Sequence, residues 1–260
     1  MQLSSHIPRK RFGQNFLRDH QVIQSIAAAI APRPSDHLVE IGPGEGVLTS
    51  ALLAQAGRLD VVEIDRDLVA LLQRQWGNHE RFFLHEADAL RFDFGALAPK
   101  GDASLRVVGN LPYNISTPLM FHLFEHAARI DDMHFMLQKE VVDRICALPG
   151  DSSYGRLSIM TRYHCEAEWL FDVPPHCFYP APKVMSAVVR LVPHRTREQA
   201  PSSFPALVAA AFNQRRKTLR NSLRQLVTDE QWQLAGIDPS SRAETLSLED
   251  FMRLARVIWQ

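Results

Sequence analysis

Three short stretches carry residue types that can do chemistry. In the first, an apolar run from Leu105 to Val108 ends in Gly109, Asn110, Leu111, Pro112 and Tyr113. A plain strand end is served by Asn-Gly or Asp-Gly, so the rigid proline and the aromatic need a reason of their own. Adenine's exocyclic amine is a weak nucleophile because its lone pair is delocalised into the ring. The side-chain oxygen of Asn110 can accept one amino hydrogen, and the Leu111 carbonyl, fixed by Pro112, can accept the other. Two such acceptors pull the nitrogen toward tetrahedral geometry and aim its lone pair. Tyr113 offers a flat face to an extruded base. An Asn-Pro-type turn with a buried tyrosine would use the same residues without any ligand.

The second stretch is Glu40-Ile41-Gly42-Pro43-Gly44-Glu45-Gly46, set between an apolar run and a helical pattern. Its glycines let a backbone approach a ligand and aim helix-start amides at it, though they also suit a plain tight turn. The third is a pair of strand-end acids. Glu63, followed by Ile64, is placed to accept both hydroxyls of a ribose, and Asp88, followed by Ala89, to meet an adenine amino group. A dinucleotide turn would place a third glycine at position 47, which is Val47. The ordered trio therefore fits S-adenosylmethionine better than a nicotinamide cofactor.

The elements that must position these residues follow from periodicity. Apolar runs predict strands at 37–42, 59–65, 81–88, 105–110, 133–139 and 186–193, and a bent strand over 157–173. Helical spacing falls between them at 47–56, 67–76, 118–127 and 140–148. This alternation predicts a mostly parallel sheet with helices on both faces and a ligand crevice at the strand ends. From about Pro201 the pattern is helical alone, with Ser203 before Pro205 and a capping box at Ser247 to Asp250. The expected division is a catalytic domain over 1–198 and a small helical domain over 199–260.

The composition, 46% hydrophobic and 22% charged, is that of a soluble globular protein. No signal peptide or membrane span is legible, which predicts a cytosolic protein without a membrane partner. Cys146, Cys165 and Cys177 form no C-x-x-C pair and the histidines show no metal spacing, so no metal is expected. Net charge is zero, yet basic residues cluster at Arg9, Lys10, Arg11 and Arg18. They cluster again at Arg215, Arg216, Lys217, Arg220 and Arg224. In the second cluster Phe212, Leu219, Leu223 and Leu226 recur at helical spacing, which predicts a helix carrying Arg216, Arg220 and Arg224 as a cationic ridge suited to the phosphates of a nucleic acid.

Taken in order, "RKRFGQNFL", "VEIGPGEGVLT", "VVEIDRDL", "GNLPYNIST", "FYPAPKVMSAVVRL" and "NQRRKTLRNSL" span nearly the whole chain. Together they resemble the bacterial ribosomal RNA adenine dimethyltransferases, which modify two adjacent adenosines near the 3′ end of small-subunit RNA. The resemblance implies a Rossmann-like S-adenosylmethionine-dependent methyltransferase sheet with a small C-terminal all-α domain. It implies a monomer whose partner is the small ribosomal subunit. By the same resemblance, Asn15 and Leu17 touch the cofactor, and Gly42 and Glu63 hold its methionine and ribose ends. Asp88 meets its adenine, with Gly44, Ile64 and Ala89 beside them. Asn110 contacts both the methionine portion and the target amine, and Phe178 faces the target base opposite Tyr113. A proline-rich loop also commonly packs such an aromatic inward. An adenine methyltransferase for DNA or large-subunit RNA, and a non-catalytic RNA-binding or ribosome-assembly factor, are the rival readings.

Overall fold

The computed structural model describes residues 14–98, 104–214 and 216–259. They fall into two compact units, one of 1–142 with 168–193 and one of 143–167 with 194–260.

In chain order the first unit contributes β1 (Phe16–Leu17), α1 (His20–Ile30), β2 (His37–Ile41), α2 (Val47–Leu53), β3 (Arg58–Glu63) and α3 (Arg66–Trp76). These are followed by β4 (Phe82–Glu86), β5 (Leu105–Asn110), α4 (Ser116–Glu125) and β6 (Ile130–Gln138). After α5 (Lys139–Cys146) and α6 (Arg156–His164), the chain adds β7 (Cys165–Val173), β8 (Phe178–Tyr179) and β9 (Ser186–Pro193). The seven-stranded sheet runs β4-β3-β2-β5-β6-β9-β7. Strands β2 to β6 pair in parallel and β9 runs antiparallel to β6. Chain order reverses between β2 and β5, and the crevice beyond the carboxyl ends of such strands is where open α/β sheets take ligands.

Near-continuous burial explains the strands. All five residues of β2 are buried, as a parallel strand covered on both faces requires. At the amino ends of the strands, Arg106 binds Asp132 through two nitrogens at 2.9 Å each, Asp36 at 2.6 Å and the Ile30 carbonyl at 2.5 Å. One guanidinium thus joins β5, β6, the entry to β2 and the end of α1. On the outer half of the sheet, fully buried Asp60 accepts from Arg58 at 2.7 Å and lies 2.6 Å from both His37 and His85. Burial works to raise its pKa, but these bonds outweigh it and hold the carboxyl well below the usual range.

The expected bent strand over 157–173 is a helix, α6, followed by β7. Leu157 to Thr161 are all buried, so no polar face marks the helical period, and the apolar run reads as a strand. This helix belongs to the second unit, which accordingly takes in 143–167 and begins again at 194 rather than 199. The second unit also holds α7 (Phe204–Phe212), α8 (Leu219–Ser222), α9 (Asp229–Ala235) and α10 (Leu248–Ile258). Phe204, Leu207, Leu219, Leu223, Trp232 and Phe251 form its buried centre. The capping box before α10 closes as expected, with Asp250 N–H to Ser247 Oγ at 3.1 Å and Ser247 N–H to Asp250 Oδ2 at 3.0 Å. No helix among the described residues is long and apolar enough to cross a membrane.

Glu40 is a buried ionisable group within the sheet. It sits within β2, is almost wholly buried, and accepts a 2.6 Å hydrogen bond from Thr49 of α2. Burial pushes its carboxyl up to about 7, with Thr49 opposing and the charge of Glu63 adding to the rise. The native state then keeps a proton that the unfolded chain gives up near pH 4.5, so this group's stabilising contribution is full below that pH and lost as pH rises through 7. Glu40→Gln is expected to gain about 3 kcal/mol over the parent between pH 5 and pH 8. Urea unfolding of both proteins across that range checks it, and parallel pH curves would refute it.

Candidate active site

A cleft opens at the carboxyl ends of β2, β3, β4 and β5. Asn15, Leu17, Gly42, Gly44, Glu63, Ile64, Asp88, Ala89 and the run Asn110-Leu111-Pro112-Tyr113 all line it. The glycine turn owes its shape to φ of 63°, 59° and 80° at Gly42, Gly44 and Gly46, where side chains are strained. Space adds a second constraint, since a Cβ on Gly44 would stand 3.0 Å from the Phe16 ring.

The acids are fixed by backbone amides. Oε1 of Glu63 accepts from Ile64 and Asp65, both at 2.9 Å. Burial nonetheless raises its pKa, with the Asp65, Ile64 and Gly44 amides opposing. Asp88 Oδ1 accepts from the Leu90 amide at 3.0 Å. Asp65 caps α3 through the Asp67 amide and receives Gln14 Nε2 at 3.0 Å, which ties the N-terminal segment to the cleft rim.

Asn110 donates through Nδ2 to the Asn15 carbonyl at 3.1 Å, which turns its Oδ1 away from that contact as an acceptor. Leu111 is held by its own amide, which donates to the Met136 carbonyl at 3.1 Å. The Tyr113 hydroxyl lies 2.8 Å from Ser186 Oγ. Phe178 is the exception among the expected residues. It is 5% exposed, belongs to the buried cluster that includes Leu17 and Cys177, and is not among the cleft's lining residues. Pairing of β8 with β1 sets Phe178 opposite Leu17, so strand alternation turns Phe178 inward and leaves Tyr179 exposed.

Glu40 and His134 also line the cleft, and neither was given a role from sequence alone. Glu40 stands at the head of the glycine motif, and its position there was the available signal. His134, on β6, is aligned by register with Val108, which is aligned with Glu40. Its ring nitrogens make no hydrogen bond of normal geometry, the Asp132 carboxylate standing 3.7 Å away, and burial pushes its pKa down to about 4, with Asp132 and a backbone contact at Ala29 opposing. A lone histidine inside an apolar strand offers no sequence signal.

In the second unit the cationic ridge does not form as a helix. α7 stops at Phe212, Thr218 is extended, and α8 lasts only four residues, so Arg216, Arg220 and Arg224 do not stack at successive turns. Leu219 and Leu223 are buried as expected, but Leu226 is exposed. Leu219 and Leu223 are buried across one turn of helix, and beyond it Val227 is buried while its amide donates to the Leu223 carbonyl at 3.0 Å. Arg216, Lys217, Arg220 and Arg224 are exposed, and Arg220 pairs with Asp229 at 2.5 Å. Arg215 and the residues 9–11 of the N-terminal cluster lie outside the described residues.

Known proteins share both sequence and architecture with this chain. The family profile described as ribosomal RNA adenine dimethylase matches residues 5–260. A relative from Methylococcus capsulatus, named ribosomal RNA small subunit methyltransferase A, is 59% identical over 253 residues, covering 96% of this chain and 98% of its own. One of the same name from Pseudomonas aeruginosa is 55% identical over 259 residues, covering 98% and 96%. Among solved structures, a dimethyladenosine transferase from Plasmodium falciparum superposes with a TM-score of 0.76 at 27% identity, covering 92% of this chain and 95% of that one. The 23S rRNA methyltransferase ErmE gives 0.71 at 27% identity, covering 95% and 100%. A parallel sheet with its switch-point cleft, a glycine turn, strand-end acids and an Asn-Leu-Pro-Tyr corner thus accompany a match over nearly the whole length, and the chain belongs to the ribosomal RNA adenine dimethylase family of methyltransferases.

Proposed function

We propose that this enzyme transfers methyl groups from S-adenosylmethionine to the N6 amines of two adjacent adenosines near the 3′ end of small-subunit ribosomal RNA, in the course of subunit maturation. The observation that carries the reading is the gathering of the glycine turn, Glu63, Asp88 and the Asn110–Tyr113 corner around one cleft. The small-subunit names of the 59% and 55% identical relatives support the choice of substrate over large-subunit RNA.

The residues present fit the cofactor. Buried Glu40 and Glu63 repel one another, and a ligand carrying positive charge would relieve that repulsion. Glu63 would accept ribose hydroxyls, Asp88 the adenine amine, and the turn at Gly42 and Gly44, with Asn15, Leu17, Ile64 and Ala89, would enclose the rest. When bound, the cofactor supplies a methyl group on a cationic sulfur, an electrophile that needs no further activation. Asn110 Oδ1 and the Leu111 carbonyl would accept the two hydrogens of the target amine, orient its lone pair and stabilise the positive charge that develops on nitrogen. Pro112 fixes the corner and Tyr113 stacks on the base. Arg216, Lys217, Arg220 and Arg224, exposed on a turn and a short helix, would contact RNA phosphates, and Arg215, outside the described residues, is proposed to join them on its sequence position alone.

Mass spectrometry of small-subunit RNA after incubation with enzyme and cofactor tests the reading directly, with separated large subunits and duplex DNA as competing substrates. Product confined to large subunits or DNA would overturn it. Asn110→Ala is expected to slow methyl transfer about a hundredfold or more while RNA affinity is kept, the signature of a contact made in the transition state. A wild-type rate would remove Asn110 from the chemistry. Glu63→Ala is expected to weaken cofactor binding by about 2–4 kcal/mol, which titration calorimetry measures. Replacing Arg216 and Arg220 together by Ala should weaken subunit binding and flatten its salt dependence by about two units of slope, leaving cofactor affinity alone. An unchanged slope would move attention to the N-terminal basic cluster.

A further inference from the structure

Tyr113 is held at both ends. Its carbonyl accepts from Ser116 Oγ at 3.2 Å, and the turn closes through the Ile115 amide to the Pro112 carbonyl at 3.2 Å. At the far end of the ring, the hydroxyl meets Ser186 Oγ at 2.8 Å. Ser186 is fully buried and opens β9, where it pairs with Gln138, the last residue of β6. One step on, the Lys139 amide donates to the Met185 carbonyl at 2.9 Å and extends the same pairing. The phenol is therefore anchored to the sheet itself.

A tyrosine ring has two side-chain torsions, and a bond at its para position fixes the first, which swings the ring's long axis, while rotation about that axis leaves the hydroxyl in place. Burial alone would have favoured alanine at 186, because a hydroxyl taken from water costs free energy unless it is bonded. We infer that Ser186 is a positioning residue for methyl transfer: its hydroxyl fixes the long axis of the Tyr113 ring, and with it the place at which the ring's face meets the target adenine when the adenine's amine meets Asn110. The inference rests on the reading that Tyr113 stacks on that adenine. A base displaced along with that axis moves N6 off the line to the methyl group, and small misplacements at a reacting centre cost rate out of proportion to their size.

The experiment compares the parent with Ser186→Ala, Tyr113→Phe, the double variant and Tyr113→Ala. Methyl transfer from labelled S-adenosylmethionine to small subunits is followed at a temperature where thermal unfolding shows every variant folded. Ser186→Ala and Tyr113→Phe are each expected to lower the maximal rate roughly three- to tenfold, the scale of one net hydrogen bond, with KM for the subunit and cofactor affinity unchanged. The double variant should be no slower than the slower single, because both remove the same bond. A parental maximal rate in Ser186→Ala, with only its melting temperature lowered, would mean that the bond serves the fold alone and would overturn the inference. Additive losses in the double variant would overturn it too. Should Ser186→Ala fail to fold, Tyr113→Phe probes the same bond from the other side, and a parental rate there is decisive against it. Tyr113→Ala separates the two readings. If it keeps the parental rate, the stacking reading falls. If it is slow while Ser186→Ala and Tyr113→Phe are not, stacking stands and the role of Ser186 is lost.

Discussion

A primary amide presents a donor at one end and an acceptor at the other, and the hydrogen bond from Asn110 Nδ2 to the Asn15 carbonyl selects which end does what. With the nitrogen engaged by backbone, the oxygen is the group left to meet a donor such as an amine. Everything that holds Asn15 in place therefore bears on the orientation of Asn110. β1 is paired to β8, Arg18 N–H reaches the Cys177 carbonyl at 2.8 Å, and Asp19 caps α1 through the Gln21 and Val22 amides. Arg18 also meets Glu45 of the glycine turn at 2.7 Å. The segment before α1 thus acts as a strap across the cleft rim, although it contributes only two residues to a strand.

The second constraint is electrostatic. The cleft's walls include Glu40 and Glu63, both buried, and each is held by hydrogen bonds that cannot fully compensate its desolvation. Stability is given up where a ligand of opposite charge would be received, a trade that functional sites commonly make. The amino ends of the strands show the reverse. There Arg106 binds two carboxylates and the Ile30 carbonyl, and Asp60 gathers three side-chain partners, so charge is matched within the protein and serves the sheet.

Much of this was legible in the sequence. Strand–helix alternation predicts the parallel sheet because buried parallel strands are short continuous apolar runs bounded by turns, as β2, β3 and β5 are. The glycine turn, Glu63, Asp88 and Asn110 were nameable because each sits at a strand's carboxyl end, and in a doubly wound sheet those ends converge by topology alone. α1 went unread although Asp19 and the spacing of Ile23, Ile26 and Ile30 mark it, because its alanine-rich middle resembles a featureless apolar stretch.

The amino-acid sequence by itself determined the strand–helix alternation of the parallel sheet, the residues at its strand ends and, through its chain of motifs, the family. Only tertiary structure decided which way side chains face and which groups are charged. Residues 157–161 became a helix because they are enclosed on all sides, a fact of packing that no local period records. Phe178 turned inward because β8 found β1 more than 150 residues earlier in the chain. The basic segment 216–224 became a turn with a four-residue helix, with Leu219 and Leu223 buried and Leu226 left exposed. The partners of Asn110 and Tyr113, Asn15 and Ser186, lie 95 and 73 residues away in sequence, and a pairing at such separation is settled only when the sheet closes. Local propensity acts within a turn or two of chain, whereas a hydrogen bond across a cleft depends on where the whole fold brings its two ends.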